Sequence, residues 1–242
     1  DPNREYAAGG FPKWFARNLF RLADGCVFQT EEAAEYFPQA VQRKSTVILN
    51  PIDLKFFDAV RTNSPHNIVT VGRLESQKNQ RMLVKAFAKI EKEFPEEELI
   101  IYGEGPLREE LENLCESLHL ADRIEMPGNI SNVEKALSEA KVFVLPSDYE
   151  GLPNALMEAM AVGLPCISTD CPCGGPRLLI SNARNGMLVP VGDEKQMADA
   201  LRSVLLDTNK LGMLGISAKK SAEGFKPDVI LSRWDSYLLG FC

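Results

Sequence analysis

Short runs rich in β-branched and aromatic residues alternate with stretches of helical periodicity along most of this chain. One such stretch, Asn79–Phe94, places Leu83, Ala86, Phe87 and Ile90 on a single stripe. The β-rich runs "LIIY" and "VFVL" are apolar on both faces, which is typical of parallel strands covered by helices on two sides. Repeated strand–helix–strand units of this kind predict an α/β fold with a Rossmann-like, doubly wound parallel sheet.

The pattern assigns the elements as follows. The predicted strands are Gly25–Thr30, Thr46–Leu49, Asn67–Val71, Glu98–Tyr102, Arg123–Met126, Lys141–Leu145, Pro165–Ser168 and Gly186–Val189. The predicted helices are Pro12–Ala23, Asn79–Phe94, Leu107–Leu118, Val133–Glu139, Asn154–Val162 and Glu194–Leu206, and helical pattern returns over 209–239.

These elements divide the chain unevenly. Residues 51–64 are rich in turn-forming and polar residues, and we interpret them as a linker. Most strands follow it, so we expect a complete Rossmann-like domain over 65–208 and a partial α/β segment over 1–50. Residues 209–242 are expected to be helices that pack back on the N-terminal side. The chain starts at Asp1, without a methionine or a signal-peptide pattern, so we expect it to be a piece of a longer protein.

Composition excludes several classes of protein. The chain is 45% hydrophobic and 25% charged, as in ordinary globular domains. Its net charge of −7 and its lack of a Lys/Arg block argue against a nucleic-acid partner. No apolar run reaches the roughly 18 residues that span a bilayer. We expect a cytoplasmic protein in which any bound anion is held locally.

The cysteines indicate neither disulfides nor metal. They form no CxxC pair and no disulfide framework, so we interpret them as reduced thiols. Cys171 and Cys173 lie close together, but no His or Cys with suitable spacing could complete a metal site. We therefore expect no metal and no cofactor.

Candidate binding residues follow the predicted strands, at the edge where doubly wound sheets bind ligands. Gly72 allows a tight turn, and Arg73 and Lys78 bracket the start of a helix, which suits a phosphate or diphosphate. Two solvated surface cations would give the same pattern. After the next strand, the GxG of "YGEGPLREE" lacks the third glycine of a dinucleotide fingerprint, because Arg108 stands there. An ordinary turn explains that loop better than NAD.

Two later loops carry further candidates. Gly128 and Asn129 follow a strand in a loop whose backbone groups could meet a flat base, or which is a plain turn. Glu150 lies in a Gly/Pro turn, and Glu158 lies more than one turn inside the next helix, with seven residues between them. The acids could be a helix cap and a solvated surface residue. Alternatively both face a ligand, since a carboxylate accepts two hydrogen bonds from sugar hydroxyls.

Together the motifs resemble those of the family 4 retaining glycosyltransferases. They are GR-x4-KN at Gly72–Asn79, GxGP at Gly103–Pro106 and E-G-L-P-x4-E-A-M at Glu150–Met160. The resemblance covers about residues 20–240 and implies the GT-B fold, in which two Rossmann-like domains face each other across a cleft. It makes 1–50 the tail of the acceptor-side domain, 51–64 the interdomain linker and 65–208 the nucleotide-sugar donor-binding domain.

The resemblance also implies roles in catalysis. Arg73 and Lys78 would neutralise the donor's diphosphate and stabilise it as it leaves. Glu150 would hold the donor sugar near the reacting carbon. The family generally needs no metal, which agrees with two cations at this position.

The remaining roles concern binding. The backbone of Gly151, Leu152 and Asn154 would hold the donor sugar together with Glu150, and Gly72 would allow the phosphate turn. Glu158 would bind the ribose hydroxyls and Gly128–Asn129 the base. Many relatives have glycine where this chain has Pro153, whose missing N–H changes the contacts available there.

The implied reaction is transfer of a sugar, with retention of configuration, from a UDP-sugar to a glycan or lipid-linked acceptor in polysaccharide biosynthesis. Peripheral association with the inner face of the membrane would follow for the whole enzyme. Since the acceptor-side half is mostly absent from this sequence, we expect this chain to bind the donor but to transfer poorly. A regulatory or inactive nucleotide-binding module of the same fold is the alternative, and an NAD-dependent oxidoreductase is a third reading.

Overall fold

The computed structural model describes residues 17–62 and 67–240. Residues 1–16, 63–66 and 241–242 lie outside this description. The start of the predicted helix Pro12–Ala23 and the boundary between the predicted linker and the larger domain therefore fall outside the described residues.

The elements alternate between strands and helices, as the pattern predicts. The strands are β1 Cys26–Phe28, β2 Ser45–Val47, β3 Asn67–Val71, β4 Glu98–Tyr102, β5 Ile124–Gly128, β6 Ala140–Leu145, β7 Cys166–Thr169 and β8 Met187–Val189. The α-helices are α1 Glu31–Glu35, α2 Gln39–Gln42, α3 Leu54–Asp58, α4 Gln80–Ala88, α5 Arg108–Ser117, α6 Val133–Ser138, α7 Asn154–Val162, α8 Gly175–Leu179, α9 Glu194–Leu206, α10 Thr208–Ala222 and α11 Pro227–Leu239. Short 3-10 helices cover Phe20–Leu22, Ser76–Lys78 and Glu223–Phe225.

The main sheet has six parallel strands in the order β5-β4-β3-β6-β7-β8. Strand order reverses between β3 and β6, which is the arrangement that opens a crevice at the carboxyl ends of the two strands. The predicted fold class, a Rossmann-like doubly wound parallel sheet, is confirmed. A separate small sheet pairs β1 with β2 in parallel and carries α1 and α2.

Helices cover both faces of the main sheet because its strands are apolar on both sides. In β3, Ile68 packs in a core with α4, α5 and α9, while Val69 packs in a core with α3, α7 and α10. β4 repeats the alternation, with Leu99 and Ile101 on the first side and Ile100 on the second. Because helices cover both faces of the sheet, its loops meet one another at the ends of the strands.

Residues 51–64, predicted to be a linker, contain a packed helix. α3 lies against α7, and Phe56 and Phe57 are buried in the second core. Their burial ties the start of this segment to the larger domain, since two buried aromatic rings contribute several kcal/mol.

The two C-terminal helices of 209–242, a segment expected to pack back on the N-terminal side, pack in different places. α10 lies along α7, and its Ala218 is buried in the second core. The close approach needs a small residue, because a Cβ at Gly215 would meet the carbonyl oxygen of Gly163. α11 extends toward the small sheet, where Tyr237 lies beside β1. The division into domains itself stays a prediction.

Within the ranges described, no helix combines the length and the apolar character needed to cross a membrane.

Candidate functional site

Besides the Lys78–Glu150 pair described below, three hydrogen bonds join the loops that follow β3 and β6. The Asp148 backbone N–H donates to the Gln77 carbonyl oxygen at 2.8 Å, and Gln77 Nε2 donates to the Tyr149 carbonyl oxygen at 3.0 Å. Asn79 Nδ2 donates to Asp148 Oδ1 at 2.6 Å, and Asn79 Oδ1 caps α4 by accepting from the Met82 N–H at 3.2 Å. These bonds hold the two loops together at the point where strand order reverses.

Lys78 and Glu150 meet at this junction. Lys78 Nζ lies 2.6 Å from Glu150 Oε1, and Ser147 Oγ donates to the same oxygen at 2.7 Å. The pair is largely shielded from solvent, with 20% of the Lys78 side chain and 7% of the Glu150 side chain exposed. A shielded charge-assisted pair is stronger than a surface pair and fixes both side chains. The structure thus brings together two residues that the motifs place 72 positions apart.

Arg73 lies in the same β3–α4 loop but has another partner. Its guanidinium pairs with Glu75 at 3.0 Å, and 69% of its side chain is exposed. Its backbone is fixed, because Gln80 Nε2 donates to the Arg73 carbonyl oxygen at 2.9 Å, and the neighbouring Gly72 N–H donates to the Tyr102 carbonyl oxygen at 2.9 Å. Arg73 is therefore an exposed cation on an ordered backbone, where it can meet an anion from solvent.

The loop after β7 holds Glu150 from its other side. The Glu150 N–H donates to the Pro172 carbonyl oxygen at 2.7 Å, and the Cys173 N–H donates to the Glu150 carbonyl oxygen at 2.8 Å. Gly175 packs directly on the Gly151 carbonyl oxygen, and a Cβ there would overlap it. The "CPCGGP" loop is therefore part of the same structure as the Glu150 turn.

α7 begins directly after this turn. Pro153 is its N-cap and accepts from the Leu156 N–H at 3.1 Å. Leu152 is buried in the second core, whereas Gly151 and Asn154 are exposed. The first N–H groups of a helix lack intrahelical partners and form its positive end, so this exposed terminus can receive ligand oxygens.

Glu158, one turn further along α7, lies in a different environment from Glu150. It is half-buried, and burial raises the pKa of its carboxyl to about 7, with Lys55 acting in the opposite direction. Lys55 also pairs with Glu134, at 3.3 Å between Nζ and Oε2. The structure therefore separates the two predicted acids into an ion-paired carboxylate and one that titrates near neutral pH.

Gly128 and Asn129 lie at the end of β5, and the predicted loop is shorter than expected. Gly128 is the last residue of β5, because the Gly103 N–H donates to its carbonyl oxygen at 2.9 Å. Pro127 is tolerated because β5 is an edge strand. Of the two predicted residues, Gly128 is buried in the strand and Asn129 is exposed just beyond it.

Three residues that position Lys78 and Glu150 were missed in the sequence: Gln77, Ser147 and Asp148. Gln77 directly precedes Lys78, and Ser147 and Asp148 lie three and two positions before Glu150. The sequence signal that could have identified them is their residue type, since they are polar side chains in loops that follow strands.

Among the residues that the structure describes, no group of three or more His, Cys, Asp or Glu side chains is arranged to hold a metal ion. The five described cysteines are buried free thiols.

Comparison with known proteins matches this architecture. The family profile described as "Glycosyl transferases group 1" matches residues 52–221. An uncharacterized glycosyltransferase of Methanocaldococcus jannaschii is 29% identical over 74% of this chain and 48% of its own length. The Campylobacter jejuni GalNAc-alpha-(1->4)-GalNAc-alpha-(1->3)-diNAcBac-PP-undecaprenol alpha-1,4-N-acetyl-D-galactosaminyltransferase is 32% identical over 82% of this chain and 55% of its own length. The chain thus spans about half the length of these two relatives.

Solved structures agree. The pneumococcal O-GlcNAc transferase GtfA, in complex with UDP and GlcNAc, superposes with a TM-score of 0.79 at 26% identity, over 92% of this chain and 46% of that one. Anabaena HepE in complex with UDP superposes with a TM-score of 0.83 over 95% of this chain and 69% of that one, and at 19% identity it shows the fold alone. The profile covers most of the chain, and the motifs lie on the strand ends of the same fold: the chain belongs to the group 1 glycosyl transferases.

Proposed function

We propose that this chain carries the donor site of a family 4 retaining glycosyltransferase, which moves a sugar from a UDP-sugar to a glycan or lipid-linked acceptor. The observation that carries the proposal is the shielded Lys78–Glu150 pair at the reversal of strand order. A cation, a carboxylate and a helix N-terminus there suit a diphosphate and its attached sugar.

The residues would divide the work as follows. Lys78 and Arg73 supply positive charge to the diphosphate, whose negative charge increases as the bond from its oxygen to the anomeric carbon breaks. The acceptor oxygen forms the new bond to that carbon on the same face, and its proton passes to the departing diphosphate. Glu150, held by Lys78 and Ser147, orients the sugar at this carbon.

The binding residues follow the same plan. Glu158 would accept hydrogen bonds from the ribose hydroxyls, and Gly128–Asn129 would contact the base. Gly151, Leu152 and Asn154 would present backbone and amide groups at the start of α7. UDP is favoured as the nucleotide because the solved pneumococcal relative holds UDP, and a lipid-linked acceptor because the Campylobacter relative is named for one.

Calorimetric titration with UDP, GDP, ADP and NAD tests the proposal. We expect UDP to bind and NAD not to bind. Binding of NAD alone would overturn the proposal in favour of an oxidoreductase. Incubation with UDP-glucose and a lipid-linked acceptor, read by NMR at the anomeric carbon, then tests for transfer. Any product identifies a transferase rather than a binding module, and a product of inverted configuration would reject the retaining mechanism.

Two further properties belong to the proposal. The positive charge of Arg73 and Lys78 would replace a divalent cation, so UDP binding should be unchanged by EDTA. A cytoplasmic location, at the inner membrane face for a lipid-linked acceptor, would give access to nucleotide sugars.

A further inference from the structure

Three side-chain amides form a chain from the small sheet to the start of α7. Gln29 Nε2 donates to Asn50 Oδ1 at 2.8 Å, and Asn50 Nδ2 donates to Asn154 Oδ1 at 2.8 Å. Gln29 directly follows β1, Asn50 lies shortly after β2, and Asn154 is the first residue of α7. We refer to these three residues as the amide relay.

The direction of the relay determines what Asn154 offers to a ligand. A side-chain amide has one accepting oxygen and one donating NH2 group. Since Asn50 donates to Asn154 Oδ1, the oxygen is engaged and the NH2 group is available. Among the described residues, none accepts a hydrogen bond from Asn154 Nδ2. This group is exposed at the helix N-terminus, beside the turn that holds Glu150.

A second bridge keeps the small sheet against the same loops. Arg177 Nη1 pairs with Glu32 Oε1 of α1 at 3.1 Å, and Arg177 Nε pairs with Asp170 Oδ1 at 2.8 Å. Glu32 lies in the first turn of α1, and Thr30 caps this helix by accepting from the Ala33 N–H at 3.1 Å. The corner between β1 and α1 is therefore attached to α8, and through Arg177 to the β7–α8 loop, as well as to α7.

We propose that Gln29 and Asn50 are positioning residues for donor recognition: they orient the Asn154 amide so that its NH2 group donates to an oxygen of the donor's diphosphate or sugar. This inference rests on the proposed function. It assigns part of donor binding to residues that never contact the donor, and it makes donor affinity depend on how the small sheet sits against α7.

Isosteric acids should reverse the relay. In Asn50→Asp, the carboxylate has no N–H to donate, so Asn154 turns its NH2 group toward residue 50 and its oxygen toward the ligand. In Gln29→Glu, Asn50 donates to the new carboxylate and then accepts from Asn154, with the same result. A diphosphate oxygen or a sugar ring oxygen has no proton to donate, so it is repelled by the Asn154 oxygen. Both acids should therefore be worse than alanine, which leaves Asn154 free to turn.

The test is calorimetric titration of UDP and UDP-glucose into the unsubstituted chain and its variants. We expect Asn50→Asp and Gln29→Glu to weaken UDP-glucose binding about tenfold, and Asn50→Ala and Gln29→Ala about two- to threefold. Asn113→Asp, the same change at an exposed position of α5, should leave affinity unchanged. A loss that is equal for UDP and UDP-glucose assigns the contact to the diphosphate, and a loss confined to UDP-glucose assigns it to the sugar.

A double-mutant cycle separates orientation from charge. In an Asn154→Ala background, Asn50→Asp should have less than a twofold effect, because the group that it reorients is gone. If the tenfold loss persists there, added negative charge explains it and the inference fails. It also fails if aspartate at position 50 is no worse than alanine. If the unsubstituted chain binds neither UDP nor UDP-glucose, the proposed function fails and the inference fails with it.

Discussion

Glu158 lies one turn inside α7, where burial raises the pKa of its carboxyl to about 7. Ribose hydroxyls donate to a carboxylate more strongly than to a neutral carboxyl, so ligand binding should favour the ionised form. UDP affinity should therefore be highest above pH 7 and decrease as the pH falls to 6. Calorimetric titration at pH 6, 7 and 8 measures this.

Glu158→Gln is the control for this dependence. Titration of the ligand's own phosphate is common to both proteins and cancels in the comparison. The variant should bind UDP more weakly at pH 8 and show the flatter pH profile. Equal affinity of Glu158→Gln and the unsubstituted chain at pH 8 would remove Glu158 from the ribose site.

The same raised pKa has a consequence for stability. Because the Glu158 carboxyl is harder to ionise in the folded state, it makes the folded protein less stable as the pH rises. The loss runs from the carboxyl's pKa in the unfolded chain, 4.5, to its pKa in the folded protein, about 7. Over this window the unsubstituted protein should lose up to about 3 kcal/mol of unfolding free energy relative to Glu158→Gln. Urea unfolding of both proteins at pH 4.5 and pH 8 measures the difference.

We expect the Lys78–Glu150 pair to have both a structural and a binding role, and substitutions can separate the two. Lys78→Met and Glu150→Gln each leave a shielded charge without its partner, so each should cost about 2 kcal/mol of unfolding free energy. The double variant should cost less than the sum. Urea unfolding of the four proteins measures the coupling, and strict additivity would contradict a shielded pair.

The two substitutions should have different effects on nucleotide binding. Lys78→Met removes a cation from the diphosphate and should weaken UDP binding at least about tenfold. Glu150→Gln removes an anion near the diphosphate, so UDP should bind as well or better, while UDP-glucose should lose affinity. Equal effects on both ligands would exclude a sugar-directed role for Glu150.

Among the helices, the bounds of α7 and α9 were predicted from the sequence, because capping residues mark an end of each. α9 starts after Asp193, whose carboxylate caps the helix by accepting from the Gln196 N–H at 2.9 Å. α7 ends at Val162, directly before Gly163, which caps the helix in a left-handed conformation with φ of 89°. Such capping residues are visible in the sequence, and both helices have their predicted bounds.

Periodicity alone overestimates a helix. The predicted helix Asn79–Phe94 forms only as α4, and Asn79 is its cap. Beyond Ala88 the chain continues in tighter turns, with Ile90 N–H donating to the Phe87 carbonyl oxygen at 2.9 Å. Ile90 and Phe94 still pack in the first core, so the apolar spacing persists where the α-helix has ended.

The part of the site formed by motifs far apart in sequence was predictable from one rule. The carboxyl ends of parallel strands lie at the same edge of a sheet, and this places Lys78 near Glu150. The amide relay was not predictable, because Asn50 and Asn154 are 104 positions apart and each is an ordinary loop or helix-start residue. The pKa of Glu158 depends on burial against neighbouring elements, which a local pattern does not contain.

The packing of α10 on α7 can be tested with two glycines of α10. A Cβ at Gly215 would meet the Gly163 carbonyl oxygen, whereas a Cβ at Gly212 would meet nothing within 4 Å. Gly215→Ala should therefore cost about 1 to 3 kcal/mol of unfolding free energy. Gly212→Ala should instead add up to about 1 kcal/mol, since alanine favours a helix. Chemical unfolding of both variants measures the contrast, and equal stabilities would contradict the close approach.

At the scale of the whole molecule, two units of very different size meet beside the proposed donor site. The main sheet has six strands with a core on each face, whereas the small sheet has two strands. Two-stranded sheets are marginal alone, so the small one should depend on its contacts with the larger unit. The relay and the Glu32–Arg177 pair supply polar contacts of this kind.

Amide hydrogen exchange measures this dependence. Without ligand, amides of β1 and β2 should exchange at least about tenfold faster than those of β3, β4 and β6, because the small unit opens at lower free energy. UDP-glucose should slow exchange at the start of α7, where we propose that it binds, and also in β1 and β2, because the relay couples them. Asn50→Asp, at saturating ligand, should retain the slowing in α7 and lose it in β1 and β2.

If β1 and β2 exchange as slowly as the main sheet without ligand, the small unit opens only with the whole molecule. If the slowing there survives Asn50→Asp, the coupling runs through other contacts, of which Glu32–Arg177 is the first to test by Arg177→Met.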